Sequence, residues 1–421
     1  MTRLVLKDPL LDFQVLRAAG SAPYGGADIG ECIATARRVK PGDLDSWHAE
    51  WTATAEASAK LARRAEACGD RDTARLAYLR ASTYYRTAAI MLLRPPLDRR
   101  LQDANAKQTD LFRRAGAHMD RPPEVLEIPY GQVSLPGYFF RSSDDGEPRA
   151  TVILTGGYDS TVEELYLTNG AAALAHGYNV LAFDGPGQGG ALIQQHLTLR
   201  PDWENVINKV VDYALNRADV DPRRIALIGP SLGAHLAPRA ASEEHRLAAC
   251  IADCGAYDLY AAFLRRLPGP LAASVGRGSR TGERALHALL GFLVTKPTAG
   301  WALRRGLFVH GVEDPIDFVE SLRAFTLAGQ AERISCPTWV CSAEGDEISE
   351  SAPELFAALT CEKEYVNFTA AEGAGDHCEA GARTLYHARS FNWLDERLQP
   401  RPRAALTLRP DPTATPERSR T

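Results

Sequence analysis

The residues Gly229-Pro230-Ser231-Leu232-Gly233 follow the apolar run Ile225-Ala226-Leu227-Ile228 and lead into Ala234-His235-Leu236-Ala237. A buried strand, a turn with glycine at both ends and a helix-compatible segment leave little conformational choice. The chain must reverse sharply from strand to helix, and the serine at the apex is held clear of its own backbone. The N–H of Leu232 then points toward the same side as the Ser231 hydroxyl. An idle serine in a glycine-rich turn is the bland alternative. The rest of the chain speaks against it, because partners for an activated serine follow downstream.

A serine hydroxyl becomes a nucleophile when a base removes its proton and a third group orients that base. Downstream, Pro337-Thr338-Trp339-Val340-Cys341-Ser342 reads as a buried strand and runs into Ala343-Glu344-Gly345-Asp346-Glu347. Asp346 is the expected acid, with Glu347 and Glu344 as rivals in the same loop. Asp253 is a more distant rival, at the end of the run Leu247–Ala252. The segment 362–368 reads as another strand and is followed by Glu372-Gly373-Ala374-Gly375-Asp376-His377. His377 is the expected general base. His48, His118 and His387 fall in helical patterns, and His235 reads as a packing residue of the helix after the turn. A second oxyanion donor is expected from Thr155-Gly156-Gly157-Tyr158, after the strand 150–154. The backbone N–H of Tyr158, or that of Gly157, would face the N–H of Leu232.

Composition limits the alternatives. The net charge of −5 gives no reason to expect nucleic acid or an anionic membrane as a partner. No apolar stretch approaches the length of a membrane span, and charges interrupt the N-terminus where a signal peptide would be apolar. The eight cysteines form no CxxC or zinc spacing, so reduced thiols, no metal, no cofactor and a cytoplasmic location are expected. Gly185-Pro186-Gly187-Gln188-Gly189-Gly190 matches GxGxxG, but no clear helix opens at Gly190, and a phosphate-cradling loop needs one.

Residues 1–120 read as a helical cap. One long helix begins near Trp47 and stops at Cys68-Gly69; a second runs from Asp72 to Leu93, before Pro95-Pro96. The pair resembles one tetratricopeptide unit, which must dock on something to bury its apolar face. From about 121 to 256 and again from 331 to 397, strands alternate with helices, which predicts an α/β class with a mainly parallel sheet covered on both faces. More than 80 residues separate Asp253 from Pro337, so 257–330 is expected to be a helical lid insertion. Residues 398–421 are rich in Pro, Arg and Thr and predict a disordered tail.

Gly-Gly-Tyr-Asp-Ser-Thr with Glu163-Glu164 (156–164), Phe-Asp-Gly-Pro-Gly-Gln-Gly (183–189) and Glu-Gly-Ala-Gly-Asp-His (372–377) together resemble one group of α/β-hydrolases. That group contains 2,6-dihydroxypseudooxynicotine hydrolase, fungal polyketide-shortening hydrolases and fermentation–respiration-switch esterases. The resemblance spans roughly residues 20–395, the helical cap included. It implies an α/β-hydrolase fold with Ser231 as nucleophile, Asp346 as acid and His377 as base. It also implies cleavage of a carbon–carbon bond beside a ketone, or of an ester, in secondary metabolism. Some members use a further acid in the substrate pocket, for which Asp258, Glu163 and Glu164 are candidates here. Trp47, Trp51, Tyr84 and Tyr85 of the cap are candidates to meet an aromatic or polyketide-like small molecule, packing between cap helices being the other reading. The alternatives are a carboxylesterase, thioesterase or lactonase/cyclase on the same triad, and a non-catalytic binding protein on a hydrolase scaffold. A homodimer is a further expectation.

Overall fold

The computed structural model describes residues 3–399. The part of the tail expected at 400–421 lies outside the described residues. The chain begins with five helices: α1 (Pro9–Ala19), α2 (Ile29–Arg38), α3 (Leu44–Ala67), α4 (Arg71–Ala89) and α5 (Arg99–Ala117). Each start is capped by an aspartate, namely Asp8, Asp28, Asp43, Asp70 and Asp98, whose carboxylate accepts orphan N–H groups of the first turn. α3 and α4 therefore begin a few residues before Trp47 and slightly before Asp72. Gly69 follows α3 in the left-handed conformation at φ 77°.

The cap helices bury Trp47 and Trp51, with ring centroids 5.4 Å apart, and Trp51 packs on Tyr84. This core is largely alanine: Ala55, Ala62, Ala74, Ala77, Ala81 and Ala88 are all buried. Small side chains let α3 and α4 approach closely while the aromatic residues fill the remaining space.

An eight-stranded sheet follows, formed by β1 (Glu124–Tyr130), β2 (Val133–Phe140), β3 (Arg149–Thr155), β4 (Asn179–Phe183), β5 (Val220–Pro230), β6 (Ala249–Asp253), β7 (Thr338–Ala343) and β8 (Lys363–Phe368). Their spatial order is β1-β2-β4-β3-β5-β6-β7-β8. β1 pairs antiparallel with β2, and β2 antiparallel with β4; all pairs from β4 to β8 are parallel. β3, β4, β5, β6 and β7 are apolar and buried through most of their length, as strands covered on both faces must be. Helices between strands are α6 (Val162–Leu165), α7 (Ala171–Ala175), α8 (Gly189–Ile193), α9 (Glu204–Leu215) and α10 (Gly233–Ala241). A short helix does open at the Gly185–Gly190 loop, contrary to the sequence expectation.

Between β6 and β7 lie α11 (Leu259–Arg265), α12 (Gly269–Gly276), α13 (Arg280–Leu293), α14 (Trp301–His310) and α15 (Pro315–Ser321). They share a core of their own around Leu286, Leu290, Leu307 and Phe318. α16 (Ala352–Ala358) joins β7 to β8, and α17 (Arg383–Leu398) closes the described chain. Among the described residues, no helix is long and apolar enough to cross a membrane.

Candidate active site

Ser231 sits past the end of β5 at φ 59°, a left-handed conformation that costs a non-glycine residue strain. Its N–H donates to the Asp253 carbonyl at the end of the neighbouring β6 (2.8 Å), which fixes the turn. Both flanking glycines are sterically required. A Cβ at Gly229 would lie 2.0 Å from the Gly233 oxygen, and one at Gly233 would lie 2.6 Å from the Thr155 oxygen.

His377 Nε2 lies 2.8 Å from Ser231 Oγ, and His377 Nδ1 lies 2.7 Å from Asp346 Oδ2. Asp346 Oδ1 accepts the Ile348 N–H at 3.0 Å, so the carboxylate cannot swing away. Burial alone would push the Asp346 carboxyl up; the facing imidazole and the Ile348 N–H outweigh it and hold it below the usual carboxylate range. Burial likewise disfavours a charged His377, yet the Asp346 carboxylate more than offsets this and raises the imidazole well above the ordinary histidine range. Phe13, from α1 of the cap, packs against the His377 ring with centroids 6.2 Å apart.

The rival acids are engaged elsewhere. Glu344 accepts the Ala370 N–H, and Glu347 faces Arg266 on the surface. Asp253 is buried and paired with Arg383 at 2.9 Å. Asp253, Cys254, Cys341 and Glu379 bring potential ligand atoms within 4.8 Å of one another. Arg383 already places its guanidinium against both carboxylates there, so these residues form a buried ion-pair network behind the site.

On the opposite side, Gly157 abuts Ser231: a Cβ on it would come 3.0 Å from Ser231 Cβ. The Gly157 N–H donates to Ser160 Oγ at 2.9 Å. The N–H groups of Tyr158 and Leu232, in contrast, meet no acceptor among the described residues. Of the two glycine-loop donors considered from sequence, Tyr158 is thus the one left open. Its side chain is anchored: the hydroxyl donates to His310 Nε2 on α14, and the Arg305 guanidinium lies over its ring at 4.8 Å. His310 is held neutral, with burial pushing it down to about 4, and its Nδ1 donates to Ser321 Oγ.

Gln188 carries no motif signal of its own, yet it holds the loop. Its Nε2 donates to the Gly156 carbonyl at 2.6 Å and its Oε1 accepts the Gly185 N–H at 3.0 Å. The glycine-rich loop after β4 thereby clamps the glycine pair after β3.

Several expected substrate residues lie elsewhere. Trp47 is fully buried, and its indole donates to the Thr87 carbonyl. Tyr84 donates to Glu31, and Tyr85 is buried with Lys107 over its ring. Helix packing absorbs all three, because the alanine-rich interface needs large side chains to fill it. Asp258 caps α11 through the Ala261 N–H. Glu163 is buried against Thr109, Gln108 and Tyr138, where burial raises its carboxyl. Glu164 pairs with Arg17. A cavity of about 410 Å³, counting space open to solvent, begins at Tyr158 and is roofed by α4 and α5; neither Ser231 nor His377 lines it.

The family model described as "Alpha/beta hydrolase family" matches residues 151–389. The chain is 34% identical to the 20-hydroxy-prefusarin hydrolase of Gibberella moniliformis, over 93% of this chain and 97% of that protein. It is 34% identical to the hydrolase acrC of Aspergillus aculeatus, over 92% of this chain and 96% of that one. The crystal structure of 2,6-dihydroxy-pseudo-oxynicotine hydrolase has the same fold, with a TM-score of 0.73, 22% identity, and coverage of 90% of this chain and 95% of that one. Fold, family match and full-length likeness agree: the chain is an enzyme and belongs to the alpha/beta hydrolase family.

Proposed function

We propose that the enzyme transfers an acyl group from a small-molecule ketone or ester to water through Ser231. The observation that carries this reading is the continuous hydrogen-bonded chain Ser231 Oγ–His377–Asp346, at 2.8 and 2.7 Å. His377 Nε2 takes the Ser231 proton as Oγ attacks the carbonyl carbon, and Asp346 stabilises the imidazolium. The oxyanion lies between the N–H groups of Leu232 and Tyr158, where each fixed donor contributes about 3–4 kcal/mol to the transition state. In the preferred reaction the leaving group is an enolate: the carbon–carbon bond breaks and His377 returns the proton to carbon. Water, deprotonated by His377, then cleaves the acyl-enzyme and frees Ser231. The resemblance of the motifs supports carbon–carbon cleavage. The relatives named for 20-hydroxy-prefusarin and 2,6-dihydroxy-pseudo-oxynicotine support a small organic substrate.

The test pairs wild type with Ser231→Ala on an aryl 1,3-diketone and a short-chain p-nitrophenyl ester, with products identified by mass spectrometry. Diketone cleavage that disappears in the variant is the expected result. Ester turnover alone would replace the ketone reading with an esterase. Failure of a fluorophosphonate probe to label Ser231 in folded protein would remove the nucleophile from the scheme.

A further inference from the structure

Three guanidinium groups converge behind the Tyr158 loop. Arg17 comes from α1, Arg86 from α4 and Arg305 from α14. Among the described residues two carboxylates face them, Asp159 and Glu164, and these are claimed unequally. Arg17 takes Glu164 twice, at 2.7 Å each, and Asp159 at 2.8 Å. Arg305 takes the other Asp159 oxygen at 2.6 Å.

Arg86 is left with long contacts: 3.6 Å to Asp159, 3.5 Å to Glu164, and 3.3 Å each to the Asp159 carbonyl and to Gln14. Its side chain is 5% exposed, and its Nε has no partner among the described residues. Burial, and then the neighbouring Arg17 cation, push its pKa down to about 10. A buried cation in that state is stabilised by any anion that reaches it.

Arg86 also lines the cavity that begins at Tyr158. Ile90, Leu93 and Ile193 form an apolar wall of that cavity, and Asn105 and Gln108 add polar groups beside Arg86. Tyr158, Asp159 and Ser160 line it too, on the same loop as Gly157, which abuts Ser231. We propose that Arg86 is the anchor of a substrate-binding subsite for a planar oxyanion, a carboxylate or ionised enol, carried by an otherwise apolar substrate whose reacting carbonyl lies at Ser231. This identifies a substrate class and rests on the hydrolase reading above. Its chemistry is recognition only: the anion exchanges hydration for Arg86 and its polar neighbours while the apolar stem fills the cavity.

The test compares two series of p-nitrophenyl esters. One series is the half-esters of succinate, glutarate, adipate and suberate; the other is the neutral monoacid esters of equal chain length. For wild type, kcat/KM is expected to favour the anionic ester by about tenfold at one chain length or more, the scale of a charge-assisted hydrogen bond. In Arg86→Gln that ratio should fall to about one, whatever the absolute rate, and Arg86→Lys should restore part of it. A wild-type ratio at or below one at every length overturns the proposal, as does a preference that survives Arg86→Gln. The wild-type ratio decides even if the variant fails to fold. Calorimetry of adipate, neutral hexanamide and inorganic phosphate with Ser231→Ala separates this proposal from the catalytic one, since it needs no turnover. Adipate should bind more tightly than either. Phosphate binding equal to adipate would mark a free-anion site instead, and no binding by adipate would overturn the subsite even with hydrolysis intact.

Discussion

His377 Nδ1 lies 2.7 Å from Asp346 Oδ2, and this contact sets both the orientation and the basicity of the imidazole. In the proposed reaction the neutral imidazole is the form that accepts a proton from Ser231. Because Asp346 raises its pKa, activity is expected to be lost as pH falls through a value above the ordinary histidine range. Asp346→Asn removes the cause of the rise, so the acid limb of the kcat/KM profile should move to lower pH. Turnover should fall by about four orders of magnitude, since the asparagine also permits the wrong tautomer. A profile with an unmoved acid limb would assign the limb to another group.

Gln188 offers a test of the loop that carries Tyr158. Its amide bridges Gly156 and Gly185, both buried. Gln188→Ala leaves a buried carbonyl and a buried N–H unpaired, at about 1–3 kcal/mol each if no water replaces the amide. The glycine pair is then free to shift. A drop in kcat of about tenfold or more is expected, with a smaller change in KM, because the proposed oxyanion donor would act on the transition state. Steady-state kinetics on any turned-over ester reads this split.

The parallel strands and the Ser231 turn were legible because their chemistry is local. A run such as Ile225–Ile228 before Gly-Pro-Ser-Leu-Gly admits one geometry, and Asp346 and His377 follow strands of the same kind. Gln188 was not legible, because its partners Gly156 and Gly185 are joined only by the pairing of β3 with β4. The GxGxxG pattern is a pattern of glycines, and the side chain between them that bonds is no part of it. Arg17, Arg86 and Arg305 were silent for a similar reason. They come from three helices, and only the docking of cap and lid brings them together at Asp159. The cap aromatics leave substrate contact and packing both open in the sequence, because aromatic residues serve both uses and sequence does not say which way a helix face turns.

Trp47 separates those two uses. It is fully buried, packs on Trp51 and donates to the Thr87 carbonyl. Trp47→Ala should destabilise the protein by about 3–5 kcal/mol, measured by urea denaturation. Trp47→Phe should cost less and leave KM unchanged. A KM that rises in Trp47→Phe while stability holds would return the residue to the substrate site.

Arg383 is the most demanding structural test. One of its terminal nitrogens donates to Asp253 at 2.9 Å, to the Cys378 carbonyl at 2.8 Å and to Glu379 at 3.4 Å; the other reaches the Thr168 carbonyl at 2.9 Å. Cys378 and Glu379 follow His377 directly and both have positive φ, 49° and 45°. The strained turn that aims the imidazole is therefore tied down by one guanidinium. Burial, with Asp253 beside it, already drives the Glu379 carboxyl well above its usual range. Arg383→Met leaves the Asp253 charge buried without its counter-ion, which costs about 3–5 kcal/mol. Arg383→Lys keeps the charge but not the fork, so it should recover part of the stability while kcat stays low, because the Cys378 carbonyl loses its donor. Denaturation midpoints and kcat for the pair of variants distinguish this from a purely electrostatic role, in which lysine would restore both together.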